Sequence, residues 1–136
     1  MEGDKNMKFK ILLNTSATRS IIVEEAYTAK FIGSGVVDVL STPMMIALME
    51  NAALDAVQTH LAEGWTTVGT KVDIEHLRAT PVGEKVTAEA ILIKQEGRAL
   101  EFSVAARDNQ GIIGQGSHKR FIIDLEKFMQ KIQKTK

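Results

Sequence analysis

The amino-acid sequence predicts an α+β fold in which an antiparallel sheet wraps around one long central helix. Three observations lead to this prediction. A helical run from Thr42 to about Leu61 is apolar around most of its circumference, which indicates a mostly buried helix. One segment with strand character precedes this run. Four segments of alternating apolar and polar residues follow it, separated by turn residues, and predict meandering antiparallel strands.

The start of the central helix is marked by its residue types. Ser41 or Thr42 can act as the N-cap, and Pro43 suits the first helical position because its missing N–H is not needed there. Gly64 follows the last periodic residues and provides a stop signal. The remaining predicted elements are strands at residues 19–28, 66–77, 86–94, 99–107 and 112–124 and a short terminal helix at residues 125–133.

The chain of 136 residues fits one domain with a substantial core. Residues 1–18 are polar and mixed, so we expect an irregular lead-in, with the domain formed by residues 19–136. The start of the chain lacks the apolar length of a secretory signal. No segment reaches the roughly 20 apolar residues that span a bilayer, so no membrane segment is predicted.

Composition excludes several classes of function. The 17 basic and 17 acidic residues balance, so no general attraction to nucleic acid or to an anionic membrane is expected. One Trp and one Tyr offer no aromatic array for stacking on bases. Without cysteine the chain has no disulfide, no catalytic thiolate and no cysteine-bound zinc, and we expect a cytoplasmic protein.

One carboxylate stands on the apolar side of the central helix. The residues three and four positions from Glu50 share its helix face, and all four are apolar: Ile46, Ala47, Ala53 and Leu54. Burial of a carboxylate there is unfavourable unless the group is paired, and such groups are often functional. An isolated acid of this kind can instead cap a backbone group or bridge to a basic residue, so a second signal is needed.

His76 provides the second signal. Strand alternation places it on the face of Val68, Val72 and Ile74, which should meet the central helix. Thr42 adds a hydroxyl at the helix start, where unpaired N–H groups and the helix dipole favour negative charge. A lone inward histidine is more often a core residue, and a threonine before proline is ordinary helix punctuation. Together with Glu50, however, these residues favour a catalytic set.

Other candidates are weaker. His60 ends the helix and His118 lies in the last predicted strand, and neither has metal-ligand spacing with His76, so no metal site is predicted. The glycines of the last strand do not precede a helix, as a phosphate-binding loop would. No Gly-x-Ser-x-Gly motif is present, which disfavours hydrolysis by a Ser-His-Asp triad.

Several short sequence fragments, spread over roughly residues 19–124, occur at a characteristic spacing from one another. They are Leu40-Ser41-Thr42-Pro43 with Glu50 eight residues after Thr42, Val68-Gly69-Thr70, Asp73-Ile74-Glu75-His76-Leu77 and Thr80-Pro81-Val82-Gly83. Each fragment alone is weak, but together they resemble the hotdog thioesterases of the fluoroacetyl-CoA thioesterase type.

This resemblance implies a hotdog fold, a homodimer or a dimer of dimers, and hydrolysis of an acyl-CoA thioester. No cofactor is implied, because CoA is part of the substrate. The family's catalytic set falls on Thr42, Glu50 and His76. Its glycine near the thioester corresponds to Gly69, and its basic residue that can meet the coenzyme corresponds to Arg120.

Two further regions concern the substrate. Lys119 precedes Arg120 and can also reach coenzyme phosphates, although paired basic residues on a strand are often only solvated. Fluoroacetyl-selective members of the family carry aromatic bulk in the lid segment before the helix, whereas residues 35–39 of this chain are aliphatic. The aliphatic lid and helix start predict a short, uncharged acyl group, with graded discrimination by chain length.

The chemistry is also consistent without the resemblance. A desolvated carboxylate can activate water or attack a thioester carbonyl, a histidine moves protons near neutral pH, and donors at a helix start stabilise an oxyanion. Two other functions stay open. One is a non-catalytic acyl-CoA-binding sensor, which would not require the full set. The other is an acyl-CoA hydratase or dehydratase, which this spacing suits less well.

Overall fold

The computed structural model describes residues 9–134, which form five strands and three α-helices. The strands are β1 Ser16–Ile22, β2 Trp65–His76, β3 Lys85–Glu96, β4 Ala99–Asp108 and β5 Gly111–Asp124, and the helices are α1 Ala29–Ile32, α2 Thr42–Gln58 and α3 Leu125–Lys134. The predicted α+β class, with an antiparallel sheet packed around a long helix, is confirmed. No helix of this part of the chain is long and apolar enough to cross a membrane.

The sheet has the strand order β1-β3-β4-β5-β2, and every pair is antiparallel. The predicted meander is correct for β3, β4 and β5 but wrong for β2, which pairs with β5 at the far edge. Residues 77–84 cross the sheet instead of closing a hairpin. The crossing is anchored where Leu40 N–H donates to the Thr80 carbonyl at 2.9 Å and Val39 pairs with Pro81. Eight extended residues reach about 26 Å, enough to pass two intervening strands.

Helix α2 packs chiefly against β1 and β3. Three alanines on its inner side allow a close approach to the sheet; the buried residues of the helix are Met45, Leu48, Met49, Ala52, Ala53, Ala56 and Val57. The composition of the helix predicts that most of its surface is buried, but only one side is. Its other side remains half-buried and carries apolar Ile46, Ala47 and Leu54 beside Glu50. An apolar surface of this kind favours a covering partner.

The N-terminal elements differ from the prediction. Strand β1 begins at Ser16, inside the predicted lead-in, and ends at Ile22. A 3-10 turn at Glu25–Tyr27 and then α1 replace the rest of the predicted first strand. The cause is local, because acidic residues and alanine disfavour a strand and Thr28 caps α1 by accepting from the Phe31 N–H at 3.2 Å.

The predicted lead-in also contributes to the core. Phe9 and Ile11 are 9% and 3% exposed, and the guanidinium of Arg98 lies over the rings of Phe9 and Trp65. Residues 1–8 lie outside the described part of the chain, so for them the irregular lead-in stays a prediction.

Candidate active site

Thr42 and His76 meet at the start of α2. Ser41 is the N-cap, since its Oγ accepts from the Met44 N–H at 3.2 Å. Thr42 therefore occupies the first helical position and Pro43 the second. The Thr42 hydroxyl, which is not needed as a cap, forms a hydrogen bond with Nδ1 of His76 at 2.7 Å. The choice of N-cap that the sequence leaves open is thus settled in favour of Ser41.

The second ring nitrogen of His76 is enclosed and meets no hydrogen-bond partner within residues 9–134. Burial lowers the pKa of His76, and the nearby backbone of Arg78 acts in the opposite direction. The ring is therefore neutral at neutral pH. Opposite His76 in the sheet stands Gly114, and a Cβ there would lie 2.6 Å from the thioether of Met45. The Met45 side chain thus uses the space that Gly114 leaves free.

A cavity of about 360 Å³ opens beside Thr42 and His76. Most of its lining comes from the lid segment and the start of the crossing segment, at Ser34, Gly35, Val37, Val39, Leu40, Leu77 and Ala79. Arg78 also reaches the cavity, which the sequence analysis missed. Its guanidinium is already bound to the Asp108 carboxylate at 2.7 Å and to the Gly111 carbonyl at 3.1 Å. The cavity therefore has a largely apolar wall, and the one cationic side chain among the described residues that line it, Arg78, is already paired.

Glu50 lies two turns further along α2, in a second group of residues. A Cβ at Gly69 would stand 2.9 Å from Oε2 of Glu50, 3.2 Å from Cε1 of His118 and 3.5 Å from Nη1 of Arg120. The missing side chain of Gly69 therefore allows a carboxylate, an imidazole and a guanidinium to approach one point on β2.

Arg120 is nearly enclosed, with 8% of its surface exposed. Its Nε donates to Thr67 Oγ1 at 2.7 Å, its Nη2 donates to the Thr67 carbonyl at 2.9 Å, and its Nη1 lies 3.2 Å from Nε2 of His118. Burial lowers the pKa of Arg120, while the Glu50 carboxylate raises it. A guanidinium stays charged under such shifts. Arg120 thus presents a fixed positive charge to Glu50 inside the protein.

His118 is 1% exposed, and both of its ring nitrogens are engaged. Nδ1 lies 2.8 Å from the Lys71 carbonyl, which can only accept, so we assign the proton to Nδ1. Nε2 then accepts from Arg120. Burial lowers the pKa of His118, and the bond to Lys71 opposes this effect. The sequence analysis considered His118 only as a metal ligand, and its spacing from His76 gave no reason to select it as a site residue. Its position two residues before Arg120, on the same face of β5, is the signal that would have found it.

A β-bulge at Thr70 brings Gly69 and His76 to the same face of β2. Gly69 pairs with Arg120 and Lys71 pairs with Lys119, so Thr70 is the extra residue. Strict alternation would place residues seven positions apart on opposite faces. The prediction that Val68 shares the face of His76 is therefore wrong, because the bulge shifts the alternation and Gly69 takes the inner position.

The structure does not join the two groups within one chain. Thr42 contacts His76, and Glu50 lies with Gly69, but the rise between Thr42 and Glu50 along α2 is about 12 Å. Gly69 and His76 are roughly 20 Å apart along β2. No hydrogen bond within residues 9–134 connects Glu50 to Thr42 or His76. The predicted catalytic set is thus divided between two places.

Lys119 points away from Arg120. Adjacent strand residues face opposite sides of a sheet, and Lys119 is exposed where Arg120 is buried. It lines an outer cleft of about 360 Å³ together with Thr70, Lys94 and Glu101. Among the described residues no group of three or more His, Asp or Glu side chains could hold a metal ion.

Comparison with known proteins agrees with this geometry. The fluoroacetyl-CoA thioesterase of Streptantibioticus cattleyicolor is 42% identical over 99 residues, which are 72% of this chain and 71% of that protein. A solved structure of a fluoroacetyl-CoA thioesterase superposes with a TM-score of 0.87 at 32% identity, over 93% of this chain and 98% of that one. A hot-dog-like protein from Thermanaerovibrio acidaminovorans, at 20% identity, shares the fold with a TM-score of 0.84 over 97% and 96% of the two chains.

The predicted hotdog fold is thereby confirmed. A family model described as the fluoroacetyl-CoA-specific thioesterase matches residues 23–126, a range that includes both groups of site residues. The chain belongs to the fluoroacetyl-CoA-specific thioesterase family.

Proposed function

We propose that this protein hydrolyses an acyl-CoA thioester with a short, uncharged acyl group, giving the free acid and CoA. The observation that carries the proposal is the 2.7 Å bond between Thr42 and His76 at the mouth of an apolar cavity. The family of the chain supports the same reaction class. A sensor that only binds acyl-CoA would not require a histidine held ready by a hydroxyl.

A homodimer would bring the two groups of the predicted catalytic set, Thr42 with His76 and Glu50 with Gly69, into one site. β2 is an edge strand of the sheet, and its residues around the bulge are exposed. Such an edge favours pairing with another strand. In an antiparallel pair of β2 with its own copy about a twofold axis, the two ends of the strand lie side by side. Gly69 and Glu50 of one protomer then lie near the partner's His76.

The surface of α2 supports this assembly. Ile46, Ala47 and Leu54 are half-buried in the single chain, and Val72 on the inner face of β2 is 43% exposed. These apolar side chains surround Glu50 and the unpaired edge. A second copy placed there would remove them from water and enclose the Glu50 carboxylate. We propose two equivalent composite sites, one on each side of the twofold axis.

The reaction follows from the roles of the two groups. The Glu50 carboxylate either takes a proton from water, whose oxygen bonds to the carbonyl carbon as the C–S bond breaks, or attacks the carbonyl carbon itself and forms a mixed anhydride that water then hydrolyses. Both routes consume one water and release a carboxylic acid and a thiol. Arg120 keeps a positive charge beside the carboxylate. The partner's Thr42 and His76 supply a hydroxyl and a neutral ring for the oxyanion and for the proton that the leaving thiolate takes up. The proposed reaction needs no cofactor beyond the CoA of the substrate.

The two basic residues have different access to the coenzyme. Lys119 lies on the outer face of the sheet, where phosphates arriving from solvent can reach it. Arg120 is enclosed and bound to Thr67 and His118. We therefore propose Lys119 as a phosphate contact, and we propose that Arg120 acts at the thioester end, through Glu50 and Gly69.

Thiol release across an acyl-CoA series from acetyl to palmitoyl tests the proposal. We expect the highest kcat/KM for short acyl groups and a graded decline with length, by about tenfold or more for each methylene that the cavity does not accommodate. Glu50→Gln is the matched control and should bind CoA but release little thiol. Binding without turnover in the wild type would favour the sensor. A kcat/KM that rises to the longest chains would contradict the assigned cavity.

A further inference from the structure

We propose that His118 is a positioning residue for this reaction, which holds the guanidinium of Arg120 against Gly69 and Glu50. Through Arg120 it fixes the place of the carboxylate that acts on the thioester. The inference rests on the proposed function, because it concerns the same Glu50.

The hydrogen bonds of Arg120 single out one nitrogen. Thr67 binds Nε and Nη2 through its hydroxyl and its carbonyl. The remaining nitrogen, Nη1, would lie 3.5 Å from a Cβ at Gly69, and Oε2 of Glu50 would lie 2.9 Å from the same position. Within residues 9–134 its only hydrogen-bond partner is Nε2 of His118 at 3.2 Å. His118 therefore orients the part of the guanidinium that faces the reacting carboxylate.

The chemistry of the bond requires a neutral imidazole. An arginine N–H needs an acceptor, and only an unprotonated Nε2 is one. The Lys71 carbonyl accepts a hydrogen bond from Nδ1–H, and Nε2 is therefore unprotonated and free to accept. The ring of Phe102 stacks beside the imidazole of His118 and keeps it in place. The centroids of the two rings are 6.3 Å apart, and the angle between their planes is 29°.

The bulge supplies the anchor for this arrangement. Lys71 is the first residue after the extra Thr70, and its carbonyl is the one that His118 binds. A chain of hydrogen bonds therefore runs from the bulge through His118 to Arg120, whose Nη1 shares the space at Gly69 with the Glu50 carboxylate. A histidine that served only the core would need its bonds satisfied but would have no effect on kcat.

Two variants separate the two bonds of the ring. Glutamine places an amide near the position of Nε2 and can still accept from Arg120, whereas asparagine places an amide near Nδ1 and keeps only the bond to Lys71. We expect His118→Gln to retain kcat within about threefold and His118→Asn to lose on the order of 10–100-fold, with KM for acyl-CoA little changed in both. His60→Asn, at an exposed site on the end of the helix, is the matched control and should behave as wild type.

A double-mutant cycle with Arg120→Met shows whether His118 acts through Arg120. We expect His118→Asn to reduce kcat in the wild-type background and to add no further loss in the Arg120→Met background. Losses that multiply, or equal losses for His118→Gln and His118→Asn, would overturn the proposal. Thermal unfolding of each variant allows kcat to be expressed per folded molecule.

The result can be told apart from a failure of the proposed function. Wild-type protein without thiol release would refute the hydrolase, and normal turnover by His118→Asn would refute the positioning role alone. Nitrogen-15 spectra of labelled histidine give a readout without turnover. We expect a protonated Nδ1 and a bare Nε2 at His118, with an Nε2 signal that shifts in Arg120→Met. An Nε2 signal unchanged by that substitution would contradict the contact.

Discussion

At Gly69, the lack of a side chain determines where a carboxylate can stand. Three charged or polar groups converge on this position, and the nearest, Oε2 of Glu50, would be only 2.9 Å from an added Cβ. The backbone of Gly69 is not in the left-handed region that favours glycine. The residue is therefore required for space near the site and not for a turn.

Gly69→Ala should reduce activity more than stability. The added methyl would push against the movable end of Glu50 and the ring of His118, so the carboxylate shifts while the strand keeps its conformation. We expect kcat to fall on the order of 10–100-fold and the free energy of unfolding to change by less than about 1 kcal/mol. Thiol release and thermal unfolding measure the two quantities. Val68→Ala, on the other face of β2, is the control, and an unchanged kcat for Gly69→Ala would refute this account.

At the scale of the element, the start of α2 divides two tasks between neighbouring hydroxyls. Ser41 caps the helix and is 1% exposed, whereas Thr42 is exposed and bonds His76. A cap contributes to the stability of a helix, and an exposed hydroxyl contributes little to it. These two adjacent residues therefore separate a structural role, at Ser41, from the catalytic role proposed for Thr42.

Ser41→Ala and Thr42→Val should have opposite effects. The first removes the acceptor for the Met44 N–H and should lower stability by about 1 kcal/mol, with kcat per folded molecule retained. The second removes the bond to His76 and should lower kcat on the order of 10²-fold, with stability little changed. Paired thermal unfolding and turnover measurements test both. Loss of kcat in Ser41→Ala at full folding would contradict the division of tasks.

The elements also show what a sequence alone can predict. Local signals were sufficient for the central helix, for four of the strands within one or two residues and for Thr42, Glu50 and His76 as candidates. Pairing between distant strands was not predictable from them. The bulge at Thr70 exists only relative to β5, and the place of β2 beside β5 depends on the crossing of residues 77–84. The environment of Glu50, with His118 and Arg120, follows from that pairing and was therefore missed.

At the scale of the whole molecule, one chain holds the two groups of site residues too far apart to act on one thioester. The exposed edge of β2 and the half-buried side of α2 are the surfaces that a second copy would cover. A composite site has a consequence that a site within one chain lacks. In the proposed dimer each catalytic centre would draw on both protomers, so defects on different chains could be combined.

Mixed dimers of Glu50→Gln and His76→Ala should regain activity. Each variant alone lacks a residue in both of its sites, but a mixed dimer has one site with the intact residues of both chains. Random exchange gives mixed dimers in half of the population, with one active site of two, so we expect about a quarter of wild-type turnover. Subunit exchange followed by thiol-release assays measures it. Mixed dimers detected by mass but without turnover, or sedimentation as an active monomer, would contradict the composite site.

The bulge at Thr70 makes the length of β2 as important as its composition. Gly69 and His76 are an odd number of positions apart, and regular alternation would turn them to opposite faces of the sheet. They face the same side because one residue between them is unpaired. Loss of that single residue in evolution would leave every site residue in the chain and turn half of them to the other face. Insertions and deletions in residues 70–75 should therefore be far rarer among active relatives than substitutions there. A search for related enzymes should require this spacing, since residue identity without it does not build the site.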